Sequence, residues 1–186
     1  MTILERLDRL ESIHAIEQLA VRYALTMDAR DIEAWLDLFV HDVDCGKRGR
    51  GREALRGFIE PALSSYYRTI HLVCGHRIVF DEADRAHGNV YCRAEHEAKG
   101  QWIVMAVCYA DDYARRDGEW RFLRRVERYW YAVDVLERPN APFNRWDWMK
   151  KPPSLPEDFP SWEPFWHKFM PEGPKSTDNL VGSGGS

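Results

Sequence analysis

Four long strand-like segments constrain the fold of this 186-residue chain more than any other feature. Strand-forming residues dominate residues 69–80, 86–97, 101–115 and 119–132. The short connections around Lys99-Gly100 and Asp117-Gly118 are typical of β-hairpins. The pattern therefore predicts a sheet of long antiparallel strands in the middle of the chain.

Helical patterns precede these strands. Residues 3–26 carry apolar residues at three- and four-residue steps, and Thr2 with Glu5 forms a possible capping box. Asp31 has the position of an N-cap for a second, short helix. Residues 52–67 predict a third helix, which Pro61 is expected to kink or break.

Helices followed by long antiparallel strands predict an α+β domain over residues 1–138. We expect a curved antiparallel sheet that wraps around the N-terminal helices, giving a cone-shaped α+β barrel. The open end of such a cone is a natural pocket for a small molecule.

The composition changes after residue 138. Residues 139–174 contain nine prolines and four tryptophans, which is too much proline for regular structure and too aromatic for a disordered tail. We predict that residues 139–181 form an ordered extension on the domain, on a neighbouring subunit or over the pocket mouth. Residues 182–186 have the composition of a flexible tail or linker.

The charge pattern excludes several classes of partner. The formal net charge is −4 and no basic tract is present, so nucleic acid is not an expected partner. No apolar run is long enough to cross a bilayer, and the charged N-terminus lacks a signal core, so a cytoplasmic protein is expected. The four scattered cysteines favour reduced core residues over a zinc site or disulfides.

Polar residues in three of these segments suggest a catalytic constellation. Asp28 sits at the end of the first helical pattern, His71 lies near the start of the first strand, and Arg125 lies on the last. A helix in the concavity of the sheet would bring Asp28 against His71. The aspartate would then fix the imidazole tautomer and leave the other nitrogen as a proton acceptor. Tyr23, one turn before Asp28, adds a phenol that is able to donate a proton or a hydrogen bond.

Each of these residues also has a structural interpretation. His71 is either a base or a satisfied interior histidine, and Asp28 either holds it or caps the turn into the second helix. Tyr23 lies on an apolar helix face, where core packing is equally compatible. Arg125 belongs to a charged run that favours a solvated or interface-paired face, together with Arg121, Arg124 and Arg128.

Further polar and aromatic residues on the predicted strands have two interpretations as well. The aromatic residues of the strands either line a pocket for a flat substrate or form plain strand core, and the candidates are Trp102, Tyr109, Tyr129 and Tyr131. By strand alternation His76 is expected on the face opposite His71, in a structural role or at a subunit contact. Glu95 and His96 lack further ligands at metal-site spacing, so no metal is expected.

The order and spacing of Asp28, His71 and Arg125, with Thr69-Ile70-His71 and the hairpin around Asp117, resemble the SnoaL-like branch of the nuclear transport factor 2-like superfamily. Within it the chain is similar to the lindane dehydrochlorinases over roughly residues 8–132. The resemblance implies a His71–Asp28 dyad that abstracts a proton without a cofactor, with Arg125 assisting the leaving group. It also implies a homodimer or homotrimer.

One position departs from those relatives. Where the dehydrochlorinases carry a lysine on the first helix, this chain has Tyr23, as in scytalone and bile-acid dehydratases, whose phenols serve an acid role. The resemblance therefore implies a lyase that eliminates water, or a small fragment such as formaldehyde, from a small hydrophobic, aromatic substrate. The alternatives are a non-catalytic small subunit of an aromatic-ring-hydroxylating dioxygenase, an isomerase like ketosteroid isomerase, and a ligand carrier.

Overall fold

The computed structural model describes residues 1–137 and 153–169. The helices are α1 (Ile3–Ala29), α2 (Ile32–Asp37), α3 (Arg52–Leu63) and α4 (Trp162–Phe169). The strands are β1 (Arg68–Glu82), β2 (Arg85–Ala98), β3 (Gln101–Arg116) and β4 (Glu119–Asp134). The first three helices thus precede all four strands, in the order that the sequence predicts.

Local side-chain bonds set both ends of α1. Thr2 and Glu5 form the expected capping box, in which the backbone N–H of each donates to the side chain of the other, at 2.6 and 3.2 Å. The helix ends at Arg30, which adopts a left-handed conformation with φ of 61°. α1 is therefore longer than predicted, and Asp28 lies in its last turn rather than beyond it. Asp31 caps α2 as expected, accepting from Ala34 N at 3.1 Å.

The four strands form one antiparallel sheet in the order β1-β2-β3-β4. Two-residue turns join β2 to β3 and β3 to β4, and all four of their residues have positive φ, namely Lys99, Gly100, Asp117 and Gly118. Such turns match the right-handed twist of the flanking strands. With α1 packed against β1 and β4, the predicted α+β cone is confirmed.

The third helix differs from the prediction in its length. α3 continues through Pro61 but ends at Leu63, not at residue 67. Pro61 lies in the last turn, where its missing N–H removes only one of the final helical hydrogen bonds. Backbone bonds from Ser64, Ser65 and Tyr66 then turn the chain toward β1.

Bulges in the sheet change which face some residues occupy. Cys74 is an extra residue in β1, because Val73 pairs with Cys92 while Gly75 pairs with Tyr91. His76 pairs with Val90, on the same face as Cys92 and the residues next to α1. The prediction that His76 points away from the face of His71 was therefore wrong, since strand alternation is interrupted at Cys74.

The part of the C-terminal extension described by the structure lies against β4. The backbone N–H groups of Ser154 and Leu155 donate to the carbonyl oxygen of Tyr129 at 3.2 and 3.3 Å. Leu155 is fully buried, and the ring of Phe159 packs 6.1 Å from that of Trp130. Much of the predicted extension and the whole tail fall outside the described residues.

Candidate active site

The end of α1 and the start of β1 place an aspartate against a histidine. His71 Nδ1 lies 2.7 Å from Asp28 Oδ1, and the backbone N–H of His71 donates to Asp28 Oδ2 at 2.9 Å. Because a carboxylate oxygen only accepts, Nδ1 carries the proton and Nε2 is left as the acceptor. The His71 side chain is 4% exposed, so its ring is held within the fold.

Further hydrogen bonds brace the aspartate. Thr69 Oγ1 donates to Asp28 Oδ1 at 2.8 Å, and Arg30 Nη1 donates to the same threonine oxygen at 2.8 Å. Burial by itself would raise the pKa of Asp28, but the hydrogen bonds from His71 and Thr69 outweigh it and hold that pKa below its usual range. Asp28 is therefore ionised at neutral pH and fixed in orientation on two sides.

Tyr23 lies between this pair and the centre of the domain. Its ring meets the His71 imidazole edge-on at 6.4 Å and packs 5.7 Å from Tyr109. Burial raises the pKa of Tyr23 to about 12, even though the Arg125 guanidinium opposes the shift. The phenol thus keeps its proton and acts as a hydrogen-bond donor at neutral pH.

Arg125 lies beneath these phenols in a buried ion pair. Its Nε and Nη2 donate to the two oxygens of Asp111 at 2.8 and 2.6 Å. The two side chains are 5% and 0% exposed, and the guanidinium lies 4.3 Å from the ring centroids of Tyr23 and Tyr109. Burial disfavours the charge, but Asp111 outweighs it and raises the pKa of Arg125. Arg125 is therefore a fixed cation that lies against the rings of Tyr23 and Tyr109.

A second histidine extends this ion pair. Tyr113 Oη donates to Asp111 Oδ2 at 2.8 Å, and His76 Nε2 lies 2.9 Å from Tyr113 Oη. Since the phenol proton is directed to the carboxylate, His76 donates through Nε2. Burial lowers the pKa of His76, which keeps this ring neutral. The bulge at Cys74 thus gives His76 an interior, structural contact.

Two of the four predicted substrate-binding aromatics face inward. Tyr109 and Tyr129 share the inner face with Val107, beside α1. Tyr131 pairs with Ala106, one residue along β3 from Val107, so it lies on the outer face. The predicted pocket-lining role of Tyr131 is therefore contradicted, because Trp130 is an extra residue at this point of β4 and turns Tyr131 outward.

Trp102 also lies on the outer face of the sheet. It pairs with Glu97, and its indole N–H donates to Glu95 Oε2 at 2.7 Å. The Arg68 guanidinium lies 5.8 Å from the Trp102 ring. A pocket-lining role for Trp102 is therefore contradicted by strand alternation, which turns it away from α1.

The inner face holds three polar residues to which we had assigned no site role. His96 lies 5.7 Å edge-on from His71, and Tyr66 packs 4.7 Å from His96. Glu127 pairs with Tyr109 and faces inward between Arg125 and Tyr129. The two-residue period indicates the face of Glu127, whereas His96 and Tyr66 become neighbours of His71 only through the pairing of β1 with β2.

The predicted absence of a metal site stays a prediction. Glu95 and His96 point to opposite faces because they are adjacent on β2. Within residues 1–137 and 153–169, no three or more histidine, cysteine or acidic side chains are arranged to hold a metal ion. No helix in those ranges is long and apolar enough to span a membrane.

The burial of His96 predicts that the stability of the protein depends on pH. Burial, followed by the neighbouring His71, lowers the pKa of His96 to about 3. In the unfolded chain this histidine takes up a proton at its ordinary pKa of about 6.5. In the folded protein it stays neutral until the pH falls to about 3. The free energy of unfolding is therefore expected to fall as pH drops from about 6.5 toward 3.

Urea unfolding at a series of pH values measures this effect. The His96→Gln variant should lose less stability than the wild type over the same interval. The exposed His87, replaced in the same way, serves as the control. Equal pH dependence in the wild type and His96→Gln would contradict the assignment.

Comparison with known proteins supplies the wider context. The chain is 30% identical over 122 residues to hexachlorocyclohexane dehydrochlorinase 1 of Sphingobium indicum, covering 62% of this chain and 79% of that protein. The crystal structure of a type 2 hexachlorocyclohexane dehydrochlorinase superposes with a TM-score of 0.65 at 26% identity, over 72% of this chain and 95% of the other. A candidate scytalone dehydratase from Novosphingobium aromaticivorans shares the fold, with a TM-score of 0.62, 24% identity and coverage of 70% and 92%.

The family assignment follows from a match that spans most of the folded domain. The SnoaL-like domain matches residues 8–126, which run from α1 into β4. That range contains Asp28, His71 and Arg125. The chain therefore belongs to the SnoaL-like domain family.

Proposed function

We propose that this chain is a cofactor-independent lyase that eliminates water from a small, largely apolar and aromatic or alicyclic molecule. The observation that carries the proposal is the 2.7 Å contact between His71 and Asp28. It leaves His71 Nε2 as a proton acceptor beside an ionised carboxylate, which stabilises the imidazolium formed when the proton is taken.

The remaining groups assist the departure of the leaving group. The Tyr23 phenol, which stays protonated, donates a hydrogen bond to the departing oxygen. Arg125 is bonded through Nε and Nη2 to Asp111, so it acts through its field under the rings of Tyr23 and Tyr109. A fixed cation at this depth favours negative charge that develops above it.

The relatives support lyase chemistry at the level of the family. The proteins similar in sequence are named dehydrochlorinases, enzymes that remove hydrogen chloride from hexachlorocyclohexane. Elimination of chloride and elimination of water share the first requirement, a base beside an acidic C–H. Tyr23 favours water, since hydroxide is a poor leaving group that requires a donor.

Product analysis tests this proposal directly. We expect the purified protein to convert members of a panel of aromatic alcohols, each with an acidic C–H beside the carbon that bears the hydroxyl group, to alkenes lighter by one water. Liquid chromatography with mass spectrometry measures the change in mass.

In heavy water, deuterium should appear at that C–H of unreacted substrate if proton removal is reversible. The Asp28→Asn variant should lower turnover by about 100-fold, because the imidazole loses its ionised partner. A product of unchanged mass would replace the lyase by an isomerase.

A further inference from the structure

A carboxyl group that the proposed dyad does not use faces the same side of the sheet as His71. Glu127 pairs with Tyr109, and Tyr109 belongs to the cluster packed beside α1, so the Glu127 side chain lies on the inner face. Even so, Glu127 is exposed to solvent. An exposed side chain on the inner face means that the space between α1 and the sheet is open at this level.

Titratable groups on several elements are electrostatically coupled to Glu127. They come from α1, from the connection before β1 and from all four strands, and are Tyr23, Tyr66, His71, Cys92, Tyr109 and Arg125. The side chains around the Glu127 carboxyl remove it in part from water, although the residue is exposed, and this desolvation raises its pKa. The opposing pull of His71 and Arg125 does not cancel the shift. The Glu127 carboxyl therefore keeps its proton to a higher pH than an ordinary glutamate does.

The Glu127 carboxyl also has no bonding partner among the described residues. Within the part of the chain that the structure describes, it forms no hydrogen bond and no ion pair, whereas the neighbouring Arg125 is bonded to Asp111. Hydrogen bonds and ion pairs with the described residues therefore do not hold the Glu127 side chain in place. A carboxyl on the inner face, with free bonding capacity and open to the space beside the base, has the properties of a group that meets a ligand.

We propose that Glu127 is a further catalytic residue, the acid that gives its proton to the hydroxyl group leaving the substrate while His71 takes the proton from carbon. This inference rests on the proposed lyase function. It also defines the substrate class as compounds with a hydroxyl group β to an activating carbonyl, so that an acidic C–H lies on the adjacent carbon.

The step balances without any other reactant. The C–H electron pair becomes the new C=C bond, the C–O bond breaks, and the departing oxygen takes the Glu127 proton and leaves as water. His71 ends as imidazolium and Glu127 as carboxylate. Transfer of one proton from the imidazolium to the carboxylate through solvent restores both groups.

Glu127 suits this step better than its neighbours do. A general acid works best when its pKa lies near the working pH. The Tyr23 phenol, with a pKa of about 12, holds its proton too tightly and donates a hydrogen bond instead. Arg125 is a permanent cation. Glu127 is a carboxyl on the inner face beside the base, and its pKa is raised above its usual value.

A pair of probes that differ only in the leaving group tests the assignment. One is a β-hydroxy-β-aryl ketone and the other is its β-chloro analogue, which expels chloride without a proton. For Glu127→Gln, we expect kcat/KM for the hydroxy probe to fall about 100-fold, with less than about threefold change for the chloro probe. The wild-type pH profile for the hydroxy probe should have two limbs, and the variant should keep only one.

The controls separate this inference from the lyase proposal. Glu82→Gln removes the same charge from an exposed end of β1 and should leave both probes unaffected. Equal losses on both probes for Glu127→Gln would mean a structural role, and no loss would exclude the acid. A His71→Gln variant that kept its activity would overturn the assignment of His71 as the base, while leaving the leaving-group result for Glu127 intact.

A measurement that needs no catalytic turnover tests the same assignment of Glu127. In protein labelled with carbon-13 at the glutamate carboxyls, the Glu127 signal is identified by its loss in Glu127→Gln. The midpoint of its pH titration should lie above the midpoints of the other exposed glutamates. The signal should move on addition of benzyl alcohol and not of toluene. A midpoint equal to that of the exposed glutamates, or equal responses to the two compounds, would overturn the proposal.

Discussion

Replacing His71 with glutamine is expected to lower kcat for the elimination reaction by about 1000-fold, a loss within the range for removal of a general base. Glutamine keeps much of the size of the imidazole and retains a donor toward Asp28, 2.7 Å away in the native protein. What it lacks is a nitrogen that accepts a proton at neutral pH. Initial rates with a substrate identified in the product screen measure the loss.

A second histidine of this chain offers a matched control. His87 Nδ1 also lies 2.9 Å from an aspartate, Asp81, but that pair is exposed at the β1–β2 hairpin. His87→Gln should therefore leave kcat unchanged. If His71→Gln kept a rate near that of the wild type, with circular dichroism showing a native fold, the base would have to be another group.

Replacing Arg125 with methionine is expected to destabilise the protein by about 3–5 kcal/mol, the range for removing one partner of a buried ion pair. Methionine fills much of the space but leaves the Asp111 carboxylate in the core without its guanidinium. That carboxylate is 0% exposed and, among the described side chains, would retain the phenol of Tyr113 as its donor. Chemical unfolding followed by tryptophan fluorescence measures the change.

An exposed pair shows what burial adds. Arg116 Nη1 lies 2.5 Å from Asp42, with side chains that are 44% and 53% exposed. Arg116→Met should leave the free energy of unfolding almost unchanged, since solvent screens the pair. The double variant Arg125→Met with Asp111→Leu should recover part of the loss by removing both charges. Equal effects of Arg125→Met and Arg116→Met would contradict the buried pair.

The sequence contains most of the information needed for the architecture. The alternation in residues 69–132 and the turn residues Lys99-Gly100 and Asp117-Gly118 predict the strands to within a few residues of their observed bounds. The meeting of Asp28 and His71 also follows, because the end of α1 has to lie near the start of β1 if the helix occupies the concavity. These features depend on local periodicity and simple packing.

Bulges limit what periodicity is able to predict. A single extra residue, Cys74 in β1 or Trp130 in β4, reverses the face of every residue beyond it. His76 and Tyr131 were misplaced for this reason. The energy of a bulge comes from the partner strand and the curvature of the whole sheet, so nothing in the local sequence marks it.

The inward carboxyl groups were missed for a different reason. Asp111 and Glu127 lie in segments that also carry exposed charges, such as Arg116 and Arg124. Their inward position depends on the curvature that turns one face of the sheet toward α1. The two-residue period places Glu127 on the face of Arg125, but the pairing Asp111↔Arg125 is identified only when the opposite strand is known.

The segment around Leu155 covers part of one edge of the sheet. β4 is an edge strand, and an edge strand normally offers its unpaired backbone groups to the strand of another molecule. Here the carbonyl oxygen of Tyr129 is already taken by the chain's own Ser154 and Leu155. Edge-to-edge addition of a second sheet is therefore blocked along this stretch of β4. Exposed apolar side chains of the sheet lie elsewhere, on β1 and β2, and include Ile70, Leu72 and Tyr91.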